Sequence, residues 1–257
     1  MARRRRFHLP DAIVHVCHRC NHGEALLADP KIKELFLEVL QEAAVRFDYE
    51  VLYFCLQDTH PHLVLRTPPE IEGHTLSAFM HWLDMVFGHR LNALRGWQGT
   101  TWQGPYVATG WLSQRRLWVL ELLLWYLATN PARRKVNAVN ATDYRWGSLY
   151  WLVRGSAGPV RTTLGEWLER IYGPRGRGDP VAAFRELSEQ VARPNWLARV
   201  RELARRGLPW LGEAAERSAR PAARAVAAEA GRLNLRSWLR EVEAYSRLLQ
   251  PVCGWQG

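Results

Sequence analysis

The chain has very little lysine: 32 of its 35 basic residues are arginine, and the net charge is +10. The positive charge is therefore mostly guanidinium, which binds phosphate through paired hydrogen bonds and stacks on planar rings. Thirteen tryptophans add flat stacking surfaces. Basic surfaces interleaved with aromatic rings are typical of proteins that bind single-stranded nucleic acid. A coding bias toward arginine is an alternative, but it does not explain a surplus of ten positive charges.

The sequence also lacks a long hydrophobic run. A membrane-spanning helix needs about 20 apolar residues, and the longest apolar run, LWVLELLLWYLA at 117–128, is shorter and contains Glu121. The N-terminal MARRRRFHLP has basic residues but no apolar signal core behind them. These absences predict a cytoplasmic protein without membrane contact.

Cysteine is scarce as well, and four cysteines in a chain of 257 residues do not form a disulfide framework. Cys17 and Cys20, with His18 and His22 nearby, look like half of a zinc site. A structural zinc site normally needs a second ligand pair at similar spacing, and the other two cysteines are isolated. If residues 12–18 form a strand, Cys17 and His18 also face opposite sides. We interpret the cluster as structural, and zinc binding or redox chemistry remains the alternative.

Hydrophobic periodicity predicts six elements in the order β-α-β-β-α-β. Asp29 and Thr75 are suited to cap the two helices. The order matches the ferredoxin-like arrangement, an antiparallel sheet with two helices on one face, so the predicted class is α+β. The predicted strands cover 11–19, 49–57, 60–67 and 105–112, and the helices cover 29–47 and 75–95.

The third predicted strand carries two histidines, in LQDTHPHLVLRTPP. Residues two apart in a strand face the same way, so His60 and His62 lie about 6–7 Å apart between Cα atoms on one face. Two imidazoles at that separation can bind one metal ion; the alternative is a pair of half-exposed histidines at a strand end. Pro61 lies between them and conflicts with an inner strand, because proline has no N–H group to donate.

A further helix is predicted in SQRRLWVLELLLWYLATNP, from a Ser113 cap to Pro131, because the residue before proline avoids the helical region. Its apolar residues run nearly all round, so we expect this helix to cover the open face of the sheet. Tyr126 and Asn130 lie one turn apart on the same helix face. They are expected to be presented together to the two histidines.

A His-x-His strand followed by Tyr-x-x-x-Asn-Pro on a late helix resembles the HUH single-tyrosine transposases, in particular the branch associated with repetitive extragenic palindromes (REP). The resemblance spans about residues 1–154 and includes AIVHV, HPHLVL, WQG, WYLATNPARRKV and DYRWGSLYWLV. It implies the β-α-β-β-α-β core with an extra tyrosine-bearing helix. The chain departs from the family pattern at Pro61, at QDT before the first histidine, and in WQGPY, which lacks an Arg-Phe pair.

Carried over residue by residue, the resemblance implies that His60 and His62 bind Mg²⁺ or Mn²⁺, with Asn130 as the third ligand. It implies that Tyr126 is the nucleophile in metal-dependent cleavage and rejoining of single-stranded DNA near hairpins. The alternatives are a core tyrosine and a helix C-cap asparagine, or a non-catalytic, domesticated hairpin-binding protein on the same scaffold. A DNA partner implies nucleoid association, and both a monomer and a homodimer are compatible with the resemblance.

Other residues are candidate nucleic-acid contacts, since basic side chains bind phosphates and planar side chains stack on bases. The alternatives are a solvated basic face and, for the tryptophan, a ring that pins a loop. The candidates are Arg3, Arg4, Arg5, Arg6, Trp102, Gln103, Arg133, Arg134 and Lys135.

From residue 155 onward the composition shifts to arginine, alanine and glutamate, with apolar residues at three- and four-residue intervals. This pattern predicts a C-terminal all-α region that binds DNA as an accessory element or mediates oligomerisation. The predicted organisation is therefore a transposase domain over 1–154 and a helical region over 155–257.

Overall fold

The computed structural model describes residues 10–69, 72–112, 117–133, 141–175 and 178–191. These residues belong to two compact units. The first, called the sheet unit, contains the described residues up to 112 together with residues 145–164. The second, called the helical unit, contains the described residues over 117–144 and 165–191.

The sheet unit contains one four-stranded sheet in which every neighbouring pair of strands is antiparallel. Its elements are β1 (Ile13–Cys17), α1 (Pro30–Phe47), β2 (Glu50–Gln57), β3 (His60–Arg66), α2 (Leu76–Arg95), β4 (Val107–Leu112) and a short helix, α4 (Ser148–Val153). The spatial order β2-β3-β1-β4 is that of a ferredoxin-like sheet. The predicted α+β class and element order are confirmed.

Local capping fixes where the two long helices begin. The side chain of Asp29 accepts a hydrogen bond from the backbone N–H of Lys31, at 2.9 Å, in the first turn of α1. Thr75 accepts one from the N–H of Ala78, at 3.2 Å, in the first turn of α2. α2 ends at Arg95 and is followed by the capping residue Gly96, whose φ of 64° lies in the left-handed region that glycine adopts without strain. Both predicted caps are thus present.

One face of the sheet is apolar and packs against α1 and α2. This apolar face consists of alternate residues of β1, β2 and β3 in a continuous buried cluster: Val14, Val16, Val51, Phe54, Leu56, Leu63 and Leu65. Phe36 of α1 and Phe87 of α2 meet edge to face, with ring centroids 5.2 Å apart. Burying apolar area stabilises a fold by about 25 cal/mol per Å², so this layer contributes to the stability of the unit.

The register of the sheet removes the conflict that Pro61 posed for an inner strand. Pro61 lies opposite Leu56 of β2. The N–H of Leu56 donates to the carbonyl of Trp146, at 2.9 Å, away from β3, so the Leu56–Pro61 pair is a non-hydrogen-bonded one. On its other side, the pairing of β3 with β1 ends at the pair of Cys17 and His62. The missing N–H of Pro61 therefore costs neither ladder a hydrogen bond.

The helical unit contains α3 (Leu117–Arg133), most of α5 (Leu164–Tyr172) and α6 (Pro180–Val191). The indole N–H of Trp125 on α3 donates to the hydroxyl of Tyr172 on α5, at 3.0 Å. Among the described helices of the chain, none is both long and apolar enough to cross a bilayer. The described start of the C-terminal region is helical, as expected, and residues 192–257 lie outside the described residues.

The end predicted for α3 is wrong, because the helix continues through Pro131 to Arg133. Proline removes a single backbone donor, and so near the C-terminus of a helix its cost is confined to the last turn. The hydroxyl of Thr129 supplies an extra donor there, to the carbonyls of Trp125 at 2.9 Å and Tyr126 at 3.2 Å. The predicted Ser113 cap lies outside the described residues.

Candidate functional site

The other face of the sheet carries polar side chains on its three adjacent strands. The register places Cys17 of β1 and Cys55 of β2 on either side of His62 of β3. His60 lies opposite Gln57. Side chains that are directly opposed in a sheet share a face, and each of these is at most 4% exposed. We call this set the polar face: His15, Cys17, Cys55, Gln57, His60 and His62.

The two histidines of β3 point their Nε2 atoms at each other, 3.1 Å apart. Each ring is held through its other nitrogen. Nδ1 of His60 is hydrogen bonded to the hydroxyl of Thr59 at 2.8 Å, and Nδ1 of His62 to Nε2 of His15 at 3.0 Å. Metal-binding histidines are oriented in this way, with one nitrogen on the ion and the other on a hydrogen-bond partner.

The sulfur of Cys17 lies beside the two imidazoles. The ligand atoms of Cys17, His60 and His62 are all within 4.8 Å of one another. The two Nε2 atoms, 3.1 Å apart, are at a separation that an ion about 2.0–2.1 Å from each nitrogen can bridge, and the sulfur lies close enough to approach the same ion. Within the described ranges, this is the one group of three histidine, cysteine or carboxylate donors that converges so closely. The donor set therefore fits a divalent metal ion.

Tyr126 and Asn130 lie on α3 in the helical unit, one turn apart, and their residues are 3% and 8% exposed. Because α3 extends to Arg133, Asn130 lies inside the last turn of the helix. Its alternative role as a C-cap is therefore wrong. The two pairs, imidazoles and tyrosine–asparagine, belong to different units, and their convergence on one metal ion stays a prediction.

The cluster around the first two cysteines does not converge on a common point. Cys17 lies on the polar face, whereas the ring of His18 stacks on Trp102 with centroids 4.5 Å apart. Cys20 belongs to the apolar cluster, and burial raises the pKa of its thiol to about 12. Cys20 is not among the converging donors of the described residues. His22 is exposed. The geometry fits a structural role for three of these residues, with Cys17 as the exception.

Among the candidate DNA contacts, Trp102 is partly buried, and its ring also meets Phe36 and Phe87 with centroids 6.1 and 5.5 Å away. Gln103 is exposed, and its backbone N–H donates to the carbonyl of Arg19 at 2.9 Å. Trp102 thus pins its loop, and a DNA contact by either residue stays a prediction. Arg3, Arg4, Arg5, Arg6, Arg134, Lys135 and the side chain of Arg133 lie outside what the structure describes.

Sequence reasoning missed three residues of the site: His15, Cys17 as a neighbour of the histidines, and Thr59. The alternation in IVHVC already puts His15 and Cys17 on one strand face. The sequence does not give the register in which β1 pairs with β3, because the two strands are about 45 residues apart in the chain.

The family model described as transposase IS200-like matches residues 9–116. Residues 9–116 are thus similar to the IS200-like transposases. The matched segment holds all four strands of the sheet and both β3 histidines, and it ends before α3. The resemblance to single-tyrosine transposases is thus confirmed at the level of this enzyme family.

One solved structure shares the fold of this chain. A REP-associated tyrosine transposase bound to a REP hairpin superposes with a TM-score of 0.50 at 13% identity, over 63% of this chain and 92% of that one. At this identity the match shows a shared fold. A protein of Deinococcus radiodurans R1 with a provisional transposase assignment gives a TM-score of 0.33 at 15% identity, over 48% and 95% of the chains. Among curated proteins, none matches the sequence significantly.

Proposed function

We propose that this protein cleaves and rejoins single-stranded DNA beside hairpins, as an IS200-like transposase of the REP-associated branch. The observation that carries the proposal is the pair of imidazoles, His60 and His62, held with their Nε2 atoms 3.1 Å apart on the buried polar face. The fold relative was solved with a REP hairpin, which supports a hairpin as the partner. The surplus of ten positive charges supports a nucleic-acid substrate.

His60 and His62 would hold the metal ion, with Asn130 of α3 as a further ligand. A divalent ion bound there supplies Lewis acidity toward the scissile phosphate. Thr59 and His15 hold the two imidazoles in orientation through their Nδ1 atoms. Of the two ions that the family resemblance implies, nitrogen ligands favour Mn²⁺ over Mg²⁺.

Tyr126 acts as the nucleophile. Its phenolic oxygen forms a bond to phosphorus while the bond from phosphorus to the 3′ oxygen breaks, so the 5′ phosphate stays on the tyrosine. The phenol releases its proton to solvent, and the departing 3′ oxygen takes one up. Attack by a 3′ hydroxyl on the phosphotyrosine reverses these steps and rejoins DNA. The covalent intermediate conserves the bond, so the reaction needs no nucleotide cofactor.

The test uses a hairpin-bearing single-stranded oligonucleotide labelled at its 3′ end, because a 5′-phosphotyrosine retains the downstream fragment. With Mn²⁺ present, the full-length protein is expected to carry the label on a denaturing gel. Tyr126→Phe and His62→Ala are expected to lose the adduct. Tyr106→Phe is the matched control, because Tyr106 is a buried tyrosine of the sheet unit. An adduct that persists in Tyr126→Phe would contradict the assignment of the nucleophile.

The alternative, a domesticated hairpin-binding protein, was suggested by the unusual Pro61. The register accommodates this proline without loss of a ladder hydrogen bond. Pro61 therefore no longer favours a domesticated protein. Hairpin binding without adduct formation by the wild-type protein would assign the chain to that class.

A further inference from the structure

We propose that Cys17 is a third protein ligand of the metal centre, and that its thiolate makes the site select zinc-like ions over Mg²⁺. The inference rests on the metal centre of the proposed function and adds a donor that the family resemblance did not imply. The sheet unit then supplies three of its ligands, two imidazole nitrogens from β3 and one sulfur from β1.

The register of the sheet puts Cys17 in position. It is the last residue of β1 and lies directly opposite His62, on the same face. The residue is 2% exposed, and its sulfur lies within 4.8 Å of the ligand nitrogens of both histidines. One strand therefore supplies both imidazoles, and its neighbour supplies the sulfur.

Cys55 provides a natural comparison, because it lies opposite His62 on the other side, in β2. Its sulfur accepts a hydrogen bond from the side-chain amide of Gln57 at 3.3 Å, and it does not belong to the converging group. The two cysteines stand on strands two spacings apart, about 9–10 Å. A disulfide requires Cα atoms within about 7 Å, so oxidation of this pair does not compete with metal binding.

The chemistry of the donors sets the selectivity. Thiolate and imidazole suit Zn²⁺ and Co²⁺, whereas Mg²⁺ takes oxygen ligands and keeps much of its water. Binding releases the thiol proton of Cys17 to solvent as the sulfur–metal bond forms. The protein is therefore expected to bind Zn²⁺ and Co²⁺ more tightly than Mn²⁺ and Mg²⁺.

The experiment titrates the full-length protein with Co²⁺ in the absence of DNA. We expect a sulfur-to-cobalt charge-transfer band in the near ultraviolet, with displacement of the ion by Zn²⁺. Cys17→Ser is expected to lose the band and to bind Zn²⁺ at least about tenfold more weakly. Cys55→Ser, the matched control, keeps both. A band that persists in Cys17→Ser, or is lacking in the wild type, would overturn the proposal.

A second measurement needs no variant. X-ray absorption of the zinc-loaded wild-type protein is expected to show one sulfur at about 2.3 Å and nitrogens at about 2.0–2.1 Å from the ion. A shell without sulfur would refute the role of Cys17. Because both readouts are independent of DNA, their failure leaves the Tyr126 adduct with Mn²⁺ untouched, and failure of the adduct assay leaves them untouched.

Discussion

The two faces of the sheet are made by the same three strands and differ in every other residue. One face packs valine, leucine and phenylalanine against α1 and α2. The other carries histidine, cysteine and glutamine, equally buried but linked by hydrogen bonds. Because successive side chains of a strand point to opposite sides, stability and chemistry are encoded at alternate positions of one strand. Substitutions one residue apart in β3 should therefore have different kinds of effect.

The largest effect is expected from truncating the apolar face. Leu65→Ala removes a fully buried side chain from β3, and a change of this type costs about 2–5 kcal/mol of unfolding free energy. Urea denaturation measures this loss. Binding of Co²⁺ by the molecules that remain folded should be unchanged. A large change in metal affinity with little loss of stability would contradict the division between the faces.

An intermediate effect is expected at His15, a positioning residue that touches Nδ1 of His62. His15→Leu removes this partner, and the loss of such a contact weakens metal binding by about 10–100-fold. His15→Gln, which keeps a polar atom at a similar reach, should restore part of the affinity. Calorimetric titration with Zn²⁺ separates the two variants. Equal losses in both would show that His15 acts only through packing.

The smallest effect on stability is expected from the buried thiol of Cys20, which belongs to the apolar cluster. Burial raises the pKa of Cys20 from 9.0 to about 12, so between these values the folded protein holds a proton that the unfolded chain has released. The stability due to this proton is complete below pH 9 and is lost as the pH rises toward 12.

At pH 10 the wild-type protein has lost about 1 kcal/mol of the stability that the Cys20 proton contributes. Cys20→Ala should therefore lose less stability than the wild type when denaturation at pH 8 and pH 10 is compared. Identical pH slopes for the two proteins would show that Cys20 does not contribute.

Sequence-local features of the fold were predictable. The caps Asp29 and Thr75 depend on contacts within a few residues, and the shared face of His60 and His62 depends only on the period of a strand. These are short-range relations, so the element order and the histidine pair could be read from the chain without knowledge of its packing.

The rest depends on contacts that are distant in sequence. Neither the pairing of Cys17 with His62 nor the contact of His15 with the same ring follows from periodicity, because a shift of one residue in register would turn both to the apolar face. The end of α3 was mispredicted for another reason. The residue before a proline tends to avoid the helical region. This is only a local tendency of the backbone, and in α3 the helix continues through Pro131 to Arg133.

Pro61 has a consequence for the unfolded chain as well as for the sheet. A residue that precedes proline is restricted to extended conformations, and proline itself has little freedom in φ. The unfolded ensemble therefore favours the extended spacing of His60 and His62 that β3 has, about 6–7 Å between Cα atoms, and such a pair retains some affinity for metal. Since an ion that also binds the unfolded chain stabilises the fold by less than its affinity implies, the stabilisation must come mostly from β1, which reaches the histidines only after folding.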